Sequence, residues 1–180
     1  MIVGEVPLTQ GGVVDLGPGR ALEVPPTRDR LVLHLPAGGV RVFELCEPFG
    51  ASFDASYCVG EGGRHVLVVG SSGRAVYHVD AQADELFVAA SLYRRTDEDY
   101  GLLRLKFVEA DGRLLVVYEG GIACFGPNMR CRWKADHDYI DRFFVEVRDG
   151  VAWYESEHEG NWGYRMADGV RIEAGPAAQL

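Results

Sequence analysis

Residues 97–118 read DEDYGLLRLKFVEADGRLLVVY, and residues 136–154 read DHDYIDRFFVEVRDGVAWY. Asp97-Glu98-Asp99-Tyr100 and Asp136-His137-Asp138-Tyr139 lie 39 positions apart. Each copy leads into an alternating segment, then Asp-Gly, then an apolar run. In Leu103-Arg104-Leu105-Lys106-Phe107 and Phe143-Phe144-Val145-Glu146-Val147-Arg148 the period is two, which puts successive side chains on opposite faces of a strand. Asp111-Gly112 and Asp149-Gly150 are hairpin signals. The unit is therefore strand, tight turn, strand.

The same reading extends outward. Leu31, Leu33 and Leu35 alternate, and Val40 to Leu45 follow after Gly38-Gly39. Val66 to Val69 and Leu114 to Val117 are apolar on both faces, as central strands covered on both sides are. Ala81 to Arg95 has a helical spacing of Ala83, Leu86, Phe87 and Ala90, with Asp80 as a possible cap. Strands on both sides favour reading Glu85 to Tyr93 as a further strand. Gly39, Gly73, Gly112 and Gly150 each open a strand, at intervals of 34, 39 and 38 residues. Val79 to Leu86 can be laid on Phe125 to Trp133 as strand, turn, strand.

The expected fold is all-β, a single domain over residues 1–180 built from repeated short antiparallel strands. A period near 40 residues made of such strands resembles the blades of a β-propeller, over about residues 30–172. Trp133, following the Pro127-Asn128 turn, is similar to the tryptophan of the quinoprotein-type propeller repeat. The Gly-His and Trp-Asp pairs of WD repeats are absent. A meander wrapped into a two-sheet sandwich or barrel accommodates the same strands. The first 29 residues add a strand, or complete the last repeat by pairing with Gly169 to Glu173.

Composition sets the class of partner. The chain has 180 residues, 18 basic and 27 acidic, for a net charge of -9. That balance opposes general nucleic-acid binding and docking on anionic membranes, and favours a basic protein partner through long-range steering. MIVGEVPLTQGG has neither the basic nor the long apolar region of a signal peptide, so a cytoplasmic location is expected. The four cysteines form no Cys-x-x-Cys. With Pro127-Asn128 as hairpin tip, Cys124 opposes Cys131, and both read as reduced core thiols.

Chemistry-bearing residues are few. Two carboxylates two apart, as in Asp97/Asp99 and Asp136/Asp138, can converge on a hard cation, or can shape turns by accepting backbone N–H bonds. In Glu155-Ser156-Glu157-His158-Glu159, strand alternation separates His158 from the glutamates. Gly-x-Ser-x-Gly and His-Glu-x-x-His are absent, and Gly70-Ser71-Ser72-Gly73 is a turn between strands. No cofactor is expected. The first expectation is a non-catalytic binder, such as an immunity- or antitoxin-like inhibitor. Its contact surface comprises Asp97, Asp99, Asp136, Asp138, Glu155, Glu157 and Glu159, with Tyr100, Tyr139 and Trp162 as anchors. A metal-dependent hydrolase using Asp136, His137, Asp138 and His158 is the alternative. A carbohydrate-binding module resting on an exposed Trp162 and Tyr164 is the other.

Overall fold

The structure, a computed structural model, describes residues 1–50, 52–71, 73–93, 106–118, 120–137, 143–156 and 160–173. The elements are β1 (Ile2–Pro7), β2 (Gly12–Gly17), β3 (Arg20–Val24), β4 (Arg30–His34), β5 (Val40–Glu44), β6 (Asp54–Val59), β7 (His65–Gly70), β8 (Ala75–Asp80) and β9 (Glu85–Ser91). They continue with β10 (Lys106–Ala110), β11 (Arg113–Tyr118), β12 (Gly121–Phe125), β13 (Cys131–Asp136), β14 (Phe143–Arg148), β15 (Val151–Glu155), β16 (Trp162–Arg165) and β17 (Arg171–Glu173).

These strands make four antiparallel meanders: sheet I (β2–β5), sheet II (β6–β9), sheet III (β10–β13) and sheet IV (β14–β17). β1 adds to the β6 edge of sheet II. The sheets stack face to face in chain order. One apolar cluster joins sheets I and II through Leu22, Leu31, Leu33, Val66, Val68 and Tyr77. A second joins II and III through Leu67, Val69, Val76, Leu114, Val116 and Phe125. A third joins III and IV through Leu115, Val117, Ile122, Tyr154, Trp162 and Tyr164. Strands β7 and β11 lie in the two middle sheets and are covered on both faces, which is why Val66–Val69 and Leu114–Val117 show no polar alternation. Each fully buried aliphatic side chain contributes roughly 1.5–3 kcal/mol, so these three seams carry the fold.

The strand reading of Glu85–Tyr93 holds, with β9 ending at Ser91. The two-sheet sandwich or barrel is replaced by four stacked sheets. The repeat begins at Gly12 rather than near residue 30, since β2 and β3 belong to sheet I. Of the two places expected for the first residues, β1 takes the extra strand, and the Arg171–Glu173 segment pairs with β16. The Val79–Leu86 match with Phe125–Trp133 is structural, because both are turns between third and fourth strands.

The glycine register is corrected. Gly112 and Gly150 do occupy equivalent turns between first and second strands. There Asp111, Gly112, Asp149 and Gly150 all have positive φ (51, 66, 53 and 71°), the geometry of a two-residue hairpin turn. Gly39 instead precedes the fourth strand of sheet I, and Gly73 precedes the third strand of sheet II. The first-to-second turns of those sheets are at Pro18-Gly19 and Gly60–Arg64. Among the described residues no helix is long and apolar enough to cross a membrane.

Candidate functional site

The meanders give the molecule two unlike rims. On one rim the links are short: Pro18-Gly19, Gly60–Arg64, Asp111-Gly112, Asp149-Gly150 and the turns after β4, β8, β12 and β16. The other rim receives the start of every first and third strand and the end of every second and fourth. All three connections between sheets leave from it, spanning residues 45–53, 92–105 and 137–142. Loops of that length on a rigid sheet scaffold are where binding residues concentrate. The first of these is pinned from below. Tyr77 of β8 accepts a bond from the Glu47 N–H at 2.9 Å and donates its hydroxyl to the Glu47 carbonyl, with Phe49 edge-on at 6.0 Å.

On this rim, between sheets III and IV, lies a dense polar and aromatic cluster. Asp136, the last residue of β13, accepts a bond from the Tyr118 hydroxyl at 2.8 Å and pairs with Lys134 at 2.9 Å. His137 follows it, tied to the scaffold by its N–H to the Gly120 carbonyl at 2.9 Å. The His137 ring meets Tyr154 at 5.1 Å and Trp162 at 5.4 Å, both edge to face, and stacks on Tyr164 at 6.3 Å. Tyr154 and Trp162 are cross-strand partners stacked 4.7 Å apart. The Arg171 guanidinium lies 4.6 Å over the Trp162 ring, within cation–π range. Burial pushes the Tyr154 hydroxyl well above its ordinary pKa, so it stays a neutral phenol.

This placement corrects one expectation. Trp162 is 0% exposed and Tyr164 is 5% exposed, so both are core residues of sheet IV and neither is a surface platform. The carbohydrate-platform reading loses its basis. The sequence sets the indole beside Asn161 and Tyr164, but β16 faces sheet III, and the cross-strand aromatics close over it. Asp136 and Glu155 are exposed at strand ends on the same rim. Asp97, Asp99, Tyr100, Asp138, Tyr139, Glu157, His158 and Glu159 lie outside the described residues. Among the described residues no group of three His, Cys, Asp or Glu side chains is placed to hold a metal ion.

A second cluster, unforeseen in the sequence, sits on the short-turn rim. The His65 Nδ1 and His78 Nε2 atoms are 3.1 Å apart, and His78 packs on Phe87 at 5.8 Å. Asp80 lies 3.8 Å from His65 and pairs with Arg64 at 3.1 Å. Burial lowers the His78 pKa to about 4, helped by the neighbouring His65 and Arg130 and opposed by Asp80. Burial lowers that of His65 as well. Burial acts to raise the Asp80 pKa, but the Arg64 guanidinium and the Ala83 and Gln82 N–H groups hold it at about 2. The only hint in the sequence is positional: His65 and His78 fall on the same face of adjacent strands.

The cysteine pairing is also corrected. Arg132 is an extra residue in β13, so Phe125 faces Cys131 and Cys124 faces Trp133. The bulge turns Cys131 toward sheet II and Cys124 toward sheet IV. Cys46, Cys58, Cys124 and Cys131 form no disulfide in the structure. Trp133 reaches across to sheet IV, donating its indole N–H to the Met166 carbonyl at 3.0 Å, with its ring over Gly169.

No family model matches the chain, and no curated protein matches it. Solved structures do. BamB from Moraxella catarrhalis is similar over 90% of this chain and 51% of its own, with 18% identity and a TM-score of 0.50. Virginiamycin B lyase from Staphylococcus aureus is similar over 99% of this chain and 61% of its own, at 12% identity and a TM-score of 0.45. The chain thus spans about half the length of BamB. BamB is a β-propeller protein, and the likeness to it is one of fold: an all-β, propeller-like stack of antiparallel sheets, three of four strands and one of five.

Proposed function

We propose that the chain is a non-catalytic protein-binding module that engages a basic partner through its long-connection rim. The observation that carries this reading is the asymmetry of the two rims. Eight short turns close one side, while every inter-sheet connection gathers on the other, beside exposed Asp136 and Glu155. In sequence, residues 94–105, 119, 138–142 and 157–159, which join strand ends of that rim, contain eight Asp or Glu against four Arg. An acidic rim of this kind favours capture of a basic surface by raising the association rate. An immunity- or antitoxin-like inhibitor is the use that suits it best. Four free thiols suit a reducing compartment, in keeping with a cytoplasmic location.

The buried aromatics behind Asp136 supply rigidity for such a surface. Tyr118 and Lys134 hold the Asp136 carboxylate in place, so less side-chain entropy is lost on binding. The test is affinity capture of the partner from the native host, followed by stopped-flow association with wild type and with Asp136→Lys/Glu155→Lys. Slower association with a flatter salt dependence supports the reading. An unchanged rate with the captured partner refutes the assignment of this rim.

A further inference from the structure

The three seams repeat one arrangement, in which the back of each sheet packs on the front of the next. Two faces of the stack are left over, the front of sheet I and the back of sheet IV. Among the described residues no apolar cluster joins them, so the four sheets form an open arc. In a β-propeller such sheets run around a central channel until the last meets the first. The match with BamB takes in 90% of this chain and 51% of BamB, which makes the arc about half of a ring. One further arc of equal size closes it.

Both leftover faces carry the side chains of a seam. On sheet I the register sets Val13, Glu23, Val32 and Val42 in one row across the four strands, and Asp15, Ala21, His34 and Val40 in the next. Val13 is 65%, Val40 58% and Val42 48% exposed. On sheet IV one row is Glu146, Trp153, Gly163 and Ile172. The Trp153 indole lies over Gly163, and Phe143 on the same face is 65% exposed. The charges on these faces are already partnered: Glu23 with His34 at 2.8 Å, Arg30 with Glu44 at 3.9 Å, Glu146 with Arg148 at 3.2 Å, and Asp15 with the Gly17 N–H at 2.9 Å. A covering sheet would therefore bury few unmatched polar groups.

Strand spacing and rise give each face about 19 Å across four strands and about 17 Å along five residues, or roughly 320 Å². Two closing seams cover four such faces, roughly 1,300 Å², which is enough for a stable interface.

We propose that two copies of this chain close a ring of eight sheets, with the back of sheet IV of each copy packed on the front of sheet I of the other. A head-to-tail contact closes when one arc completes half a turn, and grows into a filament when it does not. Both rims stay free in the ring, so this assembly and the acidic-rim reading stand or fall separately.

The test is sedimentation velocity of the 180-residue chain over a micromolar concentration series. The ring predicts one species of twice 19.8 kDa. Val42→Asp on sheet I and Phe143→Asp on sheet IV each raise its dissociation constant tenfold or more, because each places a carboxylate in both seams. Unchanged far-UV circular dichroism shows that the variants fold. Val13→Asp replaces the first, and Val145→Asp the second, where either does not. A monomer throughout the series overturns the proposal. So does a dimer weakened by only one of the two substitutions, which marks like faces in contact, and so does a ladder of masses, which marks an open stack.

Discussion

The Arg113 guanidinium, at the first position of β11, donates across the gap between sheets III and IV to the main-chain carbonyl of Met166. Arg20, at the first position of β3, does the same from sheet I to the Ala81 carbonyl of sheet II. Both acceptors directly follow a third strand. The stack is therefore stapled twice by one repeated device, on the short-turn rim. A hydrogen bond from a charged donor contributes about 1.5–3 kcal/mol. Arg113→Ala should lower unfolding stability by about that amount in urea titrations, and Arg113→Lys should restore only part of it. An unchanged midpoint for Arg113→Ala would show the staple to be energetically idle.

The histidine pair makes stability depend on pH. His78 has a folded pKa of about 4 against an ordinary 6.5, so the unfolded chain binds the proton more readily. Its contribution is intact above pH 6.5 and is lost as pH falls from there to about 4. A shift of that size corresponds to roughly 3 kcal/mol, because each pKa unit is about 1.4 kcal/mol. His65, lowered in the same direction, adds to the effect. His78→Gln should flatten the stability–pH curve over that window. A curve of unchanged slope in the variant would assign the acid sensitivity elsewhere.

Thiol reactivity should separate the cysteines. Burial raises the pKa of Cys58 and Cys124 to about 11 and raises that of Cys131 as well, whereas Cys46 is exposed. Iodoacetamide at pH 8 should label Cys46 alone in the native protein, and all four in denaturant, as read by intact mass. Rapid native labelling of Cys124 would contradict the packing of the seam between sheets III and IV.

Trp162→Ala should act on stability. The residue is fully buried and stacked on Tyr154, so truncation should cost about 3–5 kcal/mol. Calorimetry would detect a large fall in melting temperature. A neutral melting temperature would restore Trp162 as a surface group.

Much of this architecture was legible in the sequence, for physical reasons. Strands with one covered face, such as Phe143–Arg148, announce themselves by alternation, and doubly covered β7 and β11 by their unbroken aliphatic runs. The register of the repeat was less legible, because glycine serves turns of both rims and its spacing does not distinguish them. Gly followed by Arg does not resolve the register either: Gly19-Arg20, Gly63-Arg64 and Gly112-Arg113 precede or open the second strands of the first three sheets, but Gly73-Arg74 precedes the third strand of sheet II. Arg20 and Arg113 are the staples described above. The bulge at Arg132 was invisible, since an inserted residue reverses the facing of Cys131 without altering the local pattern. For the site, Asp136 and Glu155 were found as exposed acids, but the burial of Trp162 depended on which face of sheet IV meets sheet III. That is a tertiary fact that alternation within one strand does not carry.

The rim assignment is tested most directly by a hydrogen-exchange footprint of the complex with the captured partner. The account predicts protection at Gly120–Gly121, Asp136–His137 and Glu155–Ser156, with the turns at Gly19, Gly112 and Gly150 unchanged. Protection confined to those three turns would contradict it.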